Sequence, residues 1–373
     1  MEQNDKAAVI SSSLNCKSCG AILHFEPGTK HLKCDHCGST NDIENTATFG
    51  DIEAHDYNEF IDSAQSLQDN DDLQVAKCKN CGSETTLPKN ITADKCSFCA
   101  SPLILQLDDS QQYLKPHYIL PFAISEAAAK DNFTKWVKGL SFAPGDLVQK
   151  INSNTSSHLN GIYLPYWAFD ADTTTDYEGE RGDYYYETEI YTVEVDGEEE
   201  VRERRVRHTD WTFVRGEVFN SFENILIPAS KTLTQDILNK VGTWNFNQLT
   251  TYNEMYLSGF RAENFQLSPQ AGLEVAKNSM TPVIRRTILQ DIEGDEQRIG
   301  NFSVELENIG IKYILLPVWV STYTYNNKIY QFTINACTGE VHGMRPKSVV
   351  KIAALVILIL LVIVALVYAF SSH

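Results

Sequence analysis

The last twenty-odd residues limit most strongly what this chain can fold into. The nineteen residues from Ile352 to Phe370 carry no charge, glycine or proline. At about 1.5 Å rise per residue, a helix of that length crosses roughly the ~30 Å hydrocarbon core of a bilayer. Among single segments, only a helix satisfies its own backbone hydrogen bonds inside the bilayer. The run therefore predicts a transmembrane helix over 349–370, and the alternative is an unusually long buried core helix.

The charges that flank this segment predict its orientation. Arg345, Lys347 and Lys351 precede the apolar run, and only residues 371–373 follow it. Basic residues beside a span stay on the cytoplasmic side. We therefore expect a single-pass protein of the cytoplasmic (inner) membrane, with the bulk of the chain cytoplasmic and the C-terminus outside. The first residues show no basic-then-apolar leader, so secretion is not expected.

Eight of the nine cysteines form two matched sets near the N-terminus. Each set has two CxxC pairs fourteen residues apart, and each cysteine of the second set follows its counterpart by 62 positions. Such spacing supplies four thiolates for a tetrahedral Zn²⁺, so two structural zinc ribbons are predicted. Glycines follow three of the pairs, where a left-handed residue lets backbone N–H groups turn toward sulfur, and Ala100 follows the fourth. The predicted metal ligands are Cys16, Cys19, Cys34 and Cys37 in the first ribbon and Cys78, Cys81, Cys96 and Cys99 in the second.

Zinc ribbons often touch nucleic acid, and the charge pattern argues against that use here. Each ribbon holds three lysines and two acidic residues, and the whole chain has a formal net charge of −18. Neither ribbon has the aromatic and arginine platform on which bases stack. We therefore expect protein partners, with no small-molecule substrate inferred. His36 lies inside a CxxC pair and is left unassigned, because four cysteines already complete the shell.

The body of the chain is predicted to be α+β. Ser125 is expected to cap a helix, and Tyr184 to Phe213 to form a long hairpin in which Glu189 faces Arg204. Ser268 is expected to cap a second helix that Pro282 breaks or kinks. A Leu-Pro-(aromatic or aliphatic)-Trp pattern occurs in both halves, which suggests a duplicated helix-plus-antiparallel-sheet body. The predicted boundaries are 1–45 for ribbon 1, 46–75 for an acidic connector with a short helix, 76–108 for ribbon 2, 109–260 and 261–346 for the two halves of the body, the second with a PepSY-like ending, and 349–370 for the transmembrane helix.

Motifs for catalysis are missing from the sequence. There is no GxxxxGK[ST] phosphate loop, no GxSxG elbow and no HExxH helix. Asp170, Asp172 and Asp176 resemble the start of a calcium loop, but Thr175 replaces the required glycine and Arg181 the final acid. A non-enzymatic protein is therefore expected, while an enzyme assembled from distant residues stays an alternative.

Several stretches together resemble a known family. They are the paired ribbons, the strand from Gly161 to Asp172, the segments Glu180–Tyr184 and Gly294–Ile299, and the strand at Leu316–Trp319. From Cys16 to the tail helix the chain resembles bacterial membrane-anchored, TFIIB-type zinc-ribbon proteins. Many members carry the label "primosomal protein N′ (replication factor Y), superfamily II helicase", which the lack of a phosphate loop contradicts here. The resemblance implies a zinc-binding membrane protein, and its architecture is similar to zinc-ribbon membrane partners of phage-shock-type envelope-stress proteins.

The sequence thus predicts a membrane-anchored cytoplasmic zinc-ribbon adaptor that docks protein partners at the inner membrane surface. A membrane-tethered nucleic-acid-binding factor is the alternative from another class.

Overall fold

The structure is a computed structural model, and it describes most of the chain. The described residues are 16–21, 23–43, 52–65, 73–77, 82–88, 93–95, 102–104, 114, 116–154, 159–195, 198–230, 233, 241, 244–263 and 265–371. The helices are α1 (Tyr57–Gln65), α2 (Glu126–Gly139), α3 (Leu147–Asn154), α4 (Pro269–Ile292) and α5 (Val349–Ser371). The strands are β1 (Leu23–Phe25), β2 (His31–Cys34), β3 (Thr40–Asp42), β4 (His55–Asp56), β5 (Leu73–Lys77), β6 (Glu84–Pro88), β7 (Ala93–Lys95), β8 (Pro102–Ile104), β9 (Tyr118–Ile119), β10 (Asn160–Val195), β11 (Glu198–Pro228), β12 (Thr250–Thr251), β13 (Arg261–Glu263), β14 (Glu296–Tyr325), β15 (Lys328–Asn335) and β16 (Val341–Gly343).

The body is built on a mostly antiparallel sheet with very long central strands. β10 pairs with β14 along Asn160 to Gly182 and with β11 along Tyr166 to Val195. The predicted register of the hairpin is confirmed, since Glu189 lies opposite Arg204. The hairpin is longer than predicted, because β10 runs without a break from Asn160, through a continuous apolar stretch, into the predicted hairpin strand. The predicted α+β class is therefore confirmed.

The core lies on both faces of the sheet where β10 and β14 begin to pair. Tyr163, Trp167 and Phe169 face one cluster of buried residues, while Ile162 and Leu164 face another. Because side chains alternate along a strand, this segment is buried on both faces and contains few polar residues. Trp167 and Trp319 are buried and donate to the backbone oxygens of Leu267 and Ile124. Both tryptophans are therefore anchors of the core.

Helix α4 covers one face of the sheet. Ser268 caps it by accepting from the Ala271 N–H, and the helix buries residues at a regular spacing of three or four, from Leu273 to Ile292. Pro282 was predicted to break or kink the helix, and a break is wrong, because the helix continues through it. Pro282 and Asn278 are exposed, so the Asn278 carbonyl that loses its intrahelical donor can bond to water.

The strands of the two predicted halves are interleaved in one sheet. The order is β12-β9-β14-β10-β13-β6-β5, with β4, β11, β15 and β16 attached to its members. This arrangement does not show a duplication. The acidic connector contains the predicted short helix, α1, but it is more than a solvated linker. Phe60 is buried in the body core and β4 pairs with β14, because the connector's few apolar residues face the sheet.

The C-terminal apolar segment forms a single helix that leaves the body. Val349–Tyr368 has a mean hydropathy of 3.3, and none of it is buried against the rest of the chain. A soluble core helix of this composition would be covered. The helix is therefore long and apolar enough to cross a membrane.

Candidate metal centre and projecting arm

The first cysteine set is held by two similar turns joined by the β1–β2 hairpin. In each turn the glycine after the CxxC pair, Gly20 or Gly38, has φ of 75° and donates its N–H to the carbonyl of the first cysteine. Only glycine adopts this left-handed conformation without strain. The turns bring Cys16 and Cys34, which are buried, close to the exposed Cys19 and Cys37.

The four sulfurs have the spacing of a metal shell. They all lie within 4.8 Å of one another, and the Cys16–Cys37 and Cys19–Cys34 sulfurs are 3.5 Å apart. Thiolates about 2.3 Å from a central Zn²⁺ in a tetrahedron lie roughly 3.8 Å apart. The residues therefore fit Zn²⁺, and because four protein sulfurs fill the shell, a bound ion would hold the two turns together without an open position for chemistry. His36 is exposed and is not part of this cluster.

Ser39 was not identified from the sequence, and it contacts two of the sulfurs. Its Oγ lies 3.0 Å from the sulfurs of both Cys16 and Cys37. This hydroxyl lowers the pKa of Cys16 to about 5 and also lowers the pKa of Cys37. The signal was available, because Ser101 follows Ser39 by the same 62 positions that relate the cysteines. A hydrogen-bonding partner of this kind helps orient a metal ligand.

The pKa of the exposed Cys19 is shifted in the opposite direction. The Ala21 backbone N–H lowers its pKa, but the Cys37 and Cys34 thiols outweigh that effect and raise the pKa to about 12. Four adjacent sulfurs cannot all ionise without a cation, so the charge is shared unequally. A divalent metal would displace the remaining protons as it binds.

The second cysteine set, Cys78, Cys81, Cys96 and Cys99, lies outside the described residues. Its neighbours follow the repeat, since Gly82 has φ of 75°, the same value as Gly20. The adjacent strand β6 pairs with β5 and with β13 of the body.

The first ribbon shares its core with the body. Phe25 is buried, and its ring lies 5.1 Å from that of Tyr256 and 6.3 Å from that of Phe260. The backbone N–H groups of Phe25 and Gly28 donate to Ser258 and Phe122 at 3.0 and 2.8 Å. Ribbon 1 is therefore seated on the body by both packing and hydrogen bonds.

The β10–β11 hairpin extends past the third strand as a two-stranded arm, defined here as residues 184–195 and 198–209. β14 begins at Glu296, opposite Gly182, so beyond this level β10 pairs with β11 alone among the described strands. Tyr184 fixes the base of the arm, donating its hydroxyl to Glu296 and its backbone N–H to Asp295 at 2.7 Å each. Twelve residues of strand give an arm about 40 Å long.

The two faces of the arm differ in their electrostatics. On one face Arg204 pairs with Glu189 at 2.7 Å. On the other face Arg207 stacks over Tyr184 and Arg205 over Tyr186, with guanidinium carbons 4.1 and 4.9 Å from the ring centroids. In the described part of the chain neither Arg205 nor Arg207 forms an ion pair with a carboxylate. The cross-strand acid Glu189 therefore matches Arg204, as predicted, while Arg205 and Arg207 are held by tyrosine rings.

The same face continues toward the tip with exposed aliphatic side chains. Ile190 and Val201 are 68% and 69% exposed. They lie on the face of Tyr186 and Arg205, because their positions differ by even numbers along each strand. This surface, the Tyr/Arg face, comprises Tyr184, Tyr186, Ile190, Val201, Arg205 and Arg207, and the exposed Glu203 lies opposite Ile190 on the same face.

Two further clefts border polar residues of the long strands. Lys312 is buried, and its Nζ bonds to Asp170 at 2.7 Å and Asn224 at 2.8 Å beside a cleft of about 420 Å³. Asp170 is therefore engaged by an internal cation, and Asp172 and Asp176 lie on strand β10 and not in a loop. A larger cleft of about 730 Å³ is shallow and lies along the strands near Tyr177, where the hydroxyl of Tyr177 donates to Asp291.

Comparisons with known proteins give one informative similarity. The chain is 26% identical over 358 residues to a protein of Bacillus subtilis (strain 168) described as "Uncharacterized protein YdjG", and the alignment covers 92% of each chain. No family model matches the chain. No solved structure matches it either. The similarity to the Bacillus protein extends well beyond the cysteine motifs, because it spans nearly the whole chain.

Proposed function

We propose that this chain is an adaptor anchored in the cytoplasmic membrane by α5, with its body and both ribbons on the cytoplasmic side. The observation that supports the anchor is the uncovered apolar helix, of which no part is buried. Arg345, Lys347 and Lys351 at its start favour this orientation and place the C-terminus outside. The proposal agrees with the resemblance of the sequence to membrane-anchored zinc-ribbon proteins. It includes membership of that family.

The two ribbons have a structural role in this proposal. The Cys16–Cys37 cluster fits a closed tetrahedral Zn²⁺ shell, and the 62-residue repeat supports a second zinc at Cys78, Cys81, Cys96 and Cys99. A closed shell stabilises its module and performs no catalysis. Ribbon 1 packs on the body through Phe25, so its metal would also stabilise the part of the body around Tyr256 and Phe260.

The projecting arm is the observation that carries the adaptor function. An isolated two-stranded hairpin is only marginally stable in water, yet this one presents exposed Tyr186, Ile190 and Val201. Exposed aromatic and aliphatic residues beside arginine are typical of protein-binding surfaces. The Tyr/Arg face therefore suits a protein partner that offers an apolar surface with acidic residues.

The Tyr/Arg face also supports the rival function. Tyrosine and arginine side chains stack on bases, so a membrane-tethered nucleic-acid-binding factor is the second candidate. The net charge of −18 opposes it, because the electrostatic part of nucleic-acid affinity comes from clustered cations.

The test is affinity purification of the full chain from detergent-solubilised membranes, compared across matched variants. We expect a reproducible protein partner that is lost with Tyr186→Ser/Arg205→Ser and retained with Lys277→Ser, an exposed substitution on α4. Retention of the partner by the double variant would refute docking by the Tyr/Arg face. Tight binding of nucleic acid that weakens steeply with salt in a gel shift would instead support the rival.

A further inference from the structure

Three segments of the body meet where α5 begins, and together they form what we term the helix-proximal end. They are the loop 140–146 after α2, the turn 325–328 between β14 and β15, and the segment 343–348. The Ser348 N–H donates to the Phe142 carbonyl at 2.7 Å, and Lys351 Nζ to the Ala143 carbonyl at 2.8 Å. The Tyr325 hydroxyl donates to Asp146 at 2.8 Å, which ties the turn to the same loop.

This end exposes large apolar side chains from all three segments. Phe142 is 39% exposed, Ile329, immediately after the turn, is 72% exposed, and Met344 is 45% exposed. Phe142 also has φ of 59°, an uncommon conformation for an aromatic residue, and its carbonyl is held by Ser348. The loop is therefore fixed in a shape that leaves the Phe142 ring partly in solvent.

The charge of the helix-proximal end is opposite to that of the whole chain. Its three segments contain three lysines or arginines and one acidic residue, in a chain of net charge −18. The acid, Asp146, is already paired with Lys150 of α3 at 2.8 Å. Lys328, Arg345 and Lys347 are exposed. Cations that surround exposed apolar residues are the pattern of surfaces that lie on anionic lipid.

We infer that the helix-proximal end lies on the bilayer, with Phe142, Ile329 and Met344 among the headgroups and the lysines and arginines on anionic phospholipids. The inference rests on the proposed function, because it takes α5 as the membrane span. Lipid is the occupant because the apolar helix leaves from this end, so any bilayer around α5 reaches these segments first. Contact over the whole end would fix the tilt of the body relative to the bilayer. Attachment through α5 alone would leave that tilt free.

The inference also gives the arm a direction. Tyr325 of β14 lies at the helix-proximal end, and the strand runs from there back to Glu296 at the base of the arm. β10 runs alongside in the opposite sense, from Asn160 opposite Val320 outward to Val195. The 36 residues of β10 give about 110 Å of strand contour, so a body seated on the bilayer holds the Tyr/Arg face far from the lipid surface.

The test places a fluorescent reporter at this end of the full-length protein. The variants Phe142→Trp and Ile329→Trp are reconstituted into vesicles of phosphatidylcholine with phosphatidylglycerol, and quenching by lipids brominated near the headgroup is measured. The control is Phe219→Trp, which replaces a 67% exposed phenylalanine on β11. We expect the emission added at positions 142 and 329 to fall by about half, while that at 219 is unchanged, because interfacial side chains lie roughly 5–10 Å deep.

Two readouts separate the possible failures. Vesicle flotation reports insertion of α5, so a protein that fails to float overturns both the anchor and this inference. A protein that floats but shows no quenching at position 142 overturns this inference alone. Replacing Lys328, Arg345 and Lys347 with Gln should reduce quenching at 142 without affecting flotation, because each cation lost weakens headgroup contact about fivefold. Unchanged quenching in that variant would refute the electrostatic part, and Lys277→Gln is the matched charge control.

Discussion

Phe25→Ala tests whether ribbon 1 and the body form one cooperative unit. Phe25 belongs to the β1–β2 hairpin of the ribbon, but its ring packs against Tyr256 and Phe260 of the body. It is 3% exposed, so its replacement leaves a cavity at the junction. Such truncations cost about 3–5 kcal/mol. We expect about 3 kcal/mol, because neighbouring side chains can move into part of the cavity.

This energy converts into a measurable shift of the melting temperature. At about 2 cal/mol/K per residue, some 320 residues that unfold together have an unfolding entropy of about 0.7 kcal/mol/K. A loss of 3 kcal/mol then lowers the Tm by roughly 4–5 °C. The assay follows tryptophan fluorescence in the detergent-solubilised protein, because all five tryptophans lie in the body and none in a ribbon.

His24→Ala, at the neighbouring exposed position, should change the free energy of unfolding by less than about 0.5 kcal/mol. If Phe25→Ala leaves the tryptophan transition unmoved, ribbon 1 is an independent module and the predicted boundary after residue 108 describes folding better than the shared core does.

Further predictions follow from three other places in the structure. Lys312→Ala should lower the free energy of unfolding by about 2 kcal/mol in a denaturation series, because it leaves the partly buried Asp170 without its cation. Lys312→Met, which keeps the length of the side chain, should be milder, and equal stability of Lys312→Ala and wild type would refute the role. Burial, with a smaller contribution from a nearby histidine, lowers the pKa of His117 to about 4. The folded state therefore binds fewer protons than the unfolded state, and stability should be full above about pH 6.5 and fall by up to about 3 kcal/mol toward pH 4. His117→Phe should flatten that part of the pH–stability profile, and an unchanged slope would contradict the assignment. Pro282→Ala should raise the Tm, because it restores a helical N–H at an exposed position, and a lower Tm would show that Pro282 has a packing role.

Metal content gives an independent prediction about the ribbons. The purified wild-type chain should carry about two Zn²⁺, and Cys16→Ser and Cys78→Ser should each carry about one. Elemental analysis measures this directly, with Cys337→Ser as the control, since Cys337 lies far along the chain and its pKa is raised to about 12 by burial. A wild-type chain with a single zinc would refute the second site.

Local patterns were read correctly where they depend on neighbouring residues. The caps at Ser125 and Ser268 and the hairpin register at Glu189 are all set within a few residues of sequence. The first metal cluster was also predictable, because the CxxC spacing and the glycines dictate the turns that gather the sulfurs. The tail helix is apparent from composition alone.

Features that depend on distant contacts were not predictable in the same way. Pro282 was expected to break or kink its helix, but the helix does not break there, because the burial of Met280 and Ile284 against the sheet outweighs the loss of one hydrogen bond. Phe60 and Phe25 dock on parts of the body that lie far away along the chain. Each is surrounded in the sequence by polar residues, so the local pattern does not indicate burial. The stacking of Arg205 and Arg207 on tyrosines was missed because nearby acidic residues offered a simpler match.

The most direct test of the account is the membrane topology of the full-length chain. A Ser372→Cys variant in intact cells is treated with a membrane-impermeant maleimide, and labelling is compared before and after lysis. A Ser141→Cys variant in the helix-proximal end serves as the control for the cytoplasmic side. We expect labelling of position 372 in intact cells and labelling of position 141 only after lysis. Labelling of both positions, or of position 141 alone, in intact cells would contradict a cytoplasmic body anchored by its C-terminal helix.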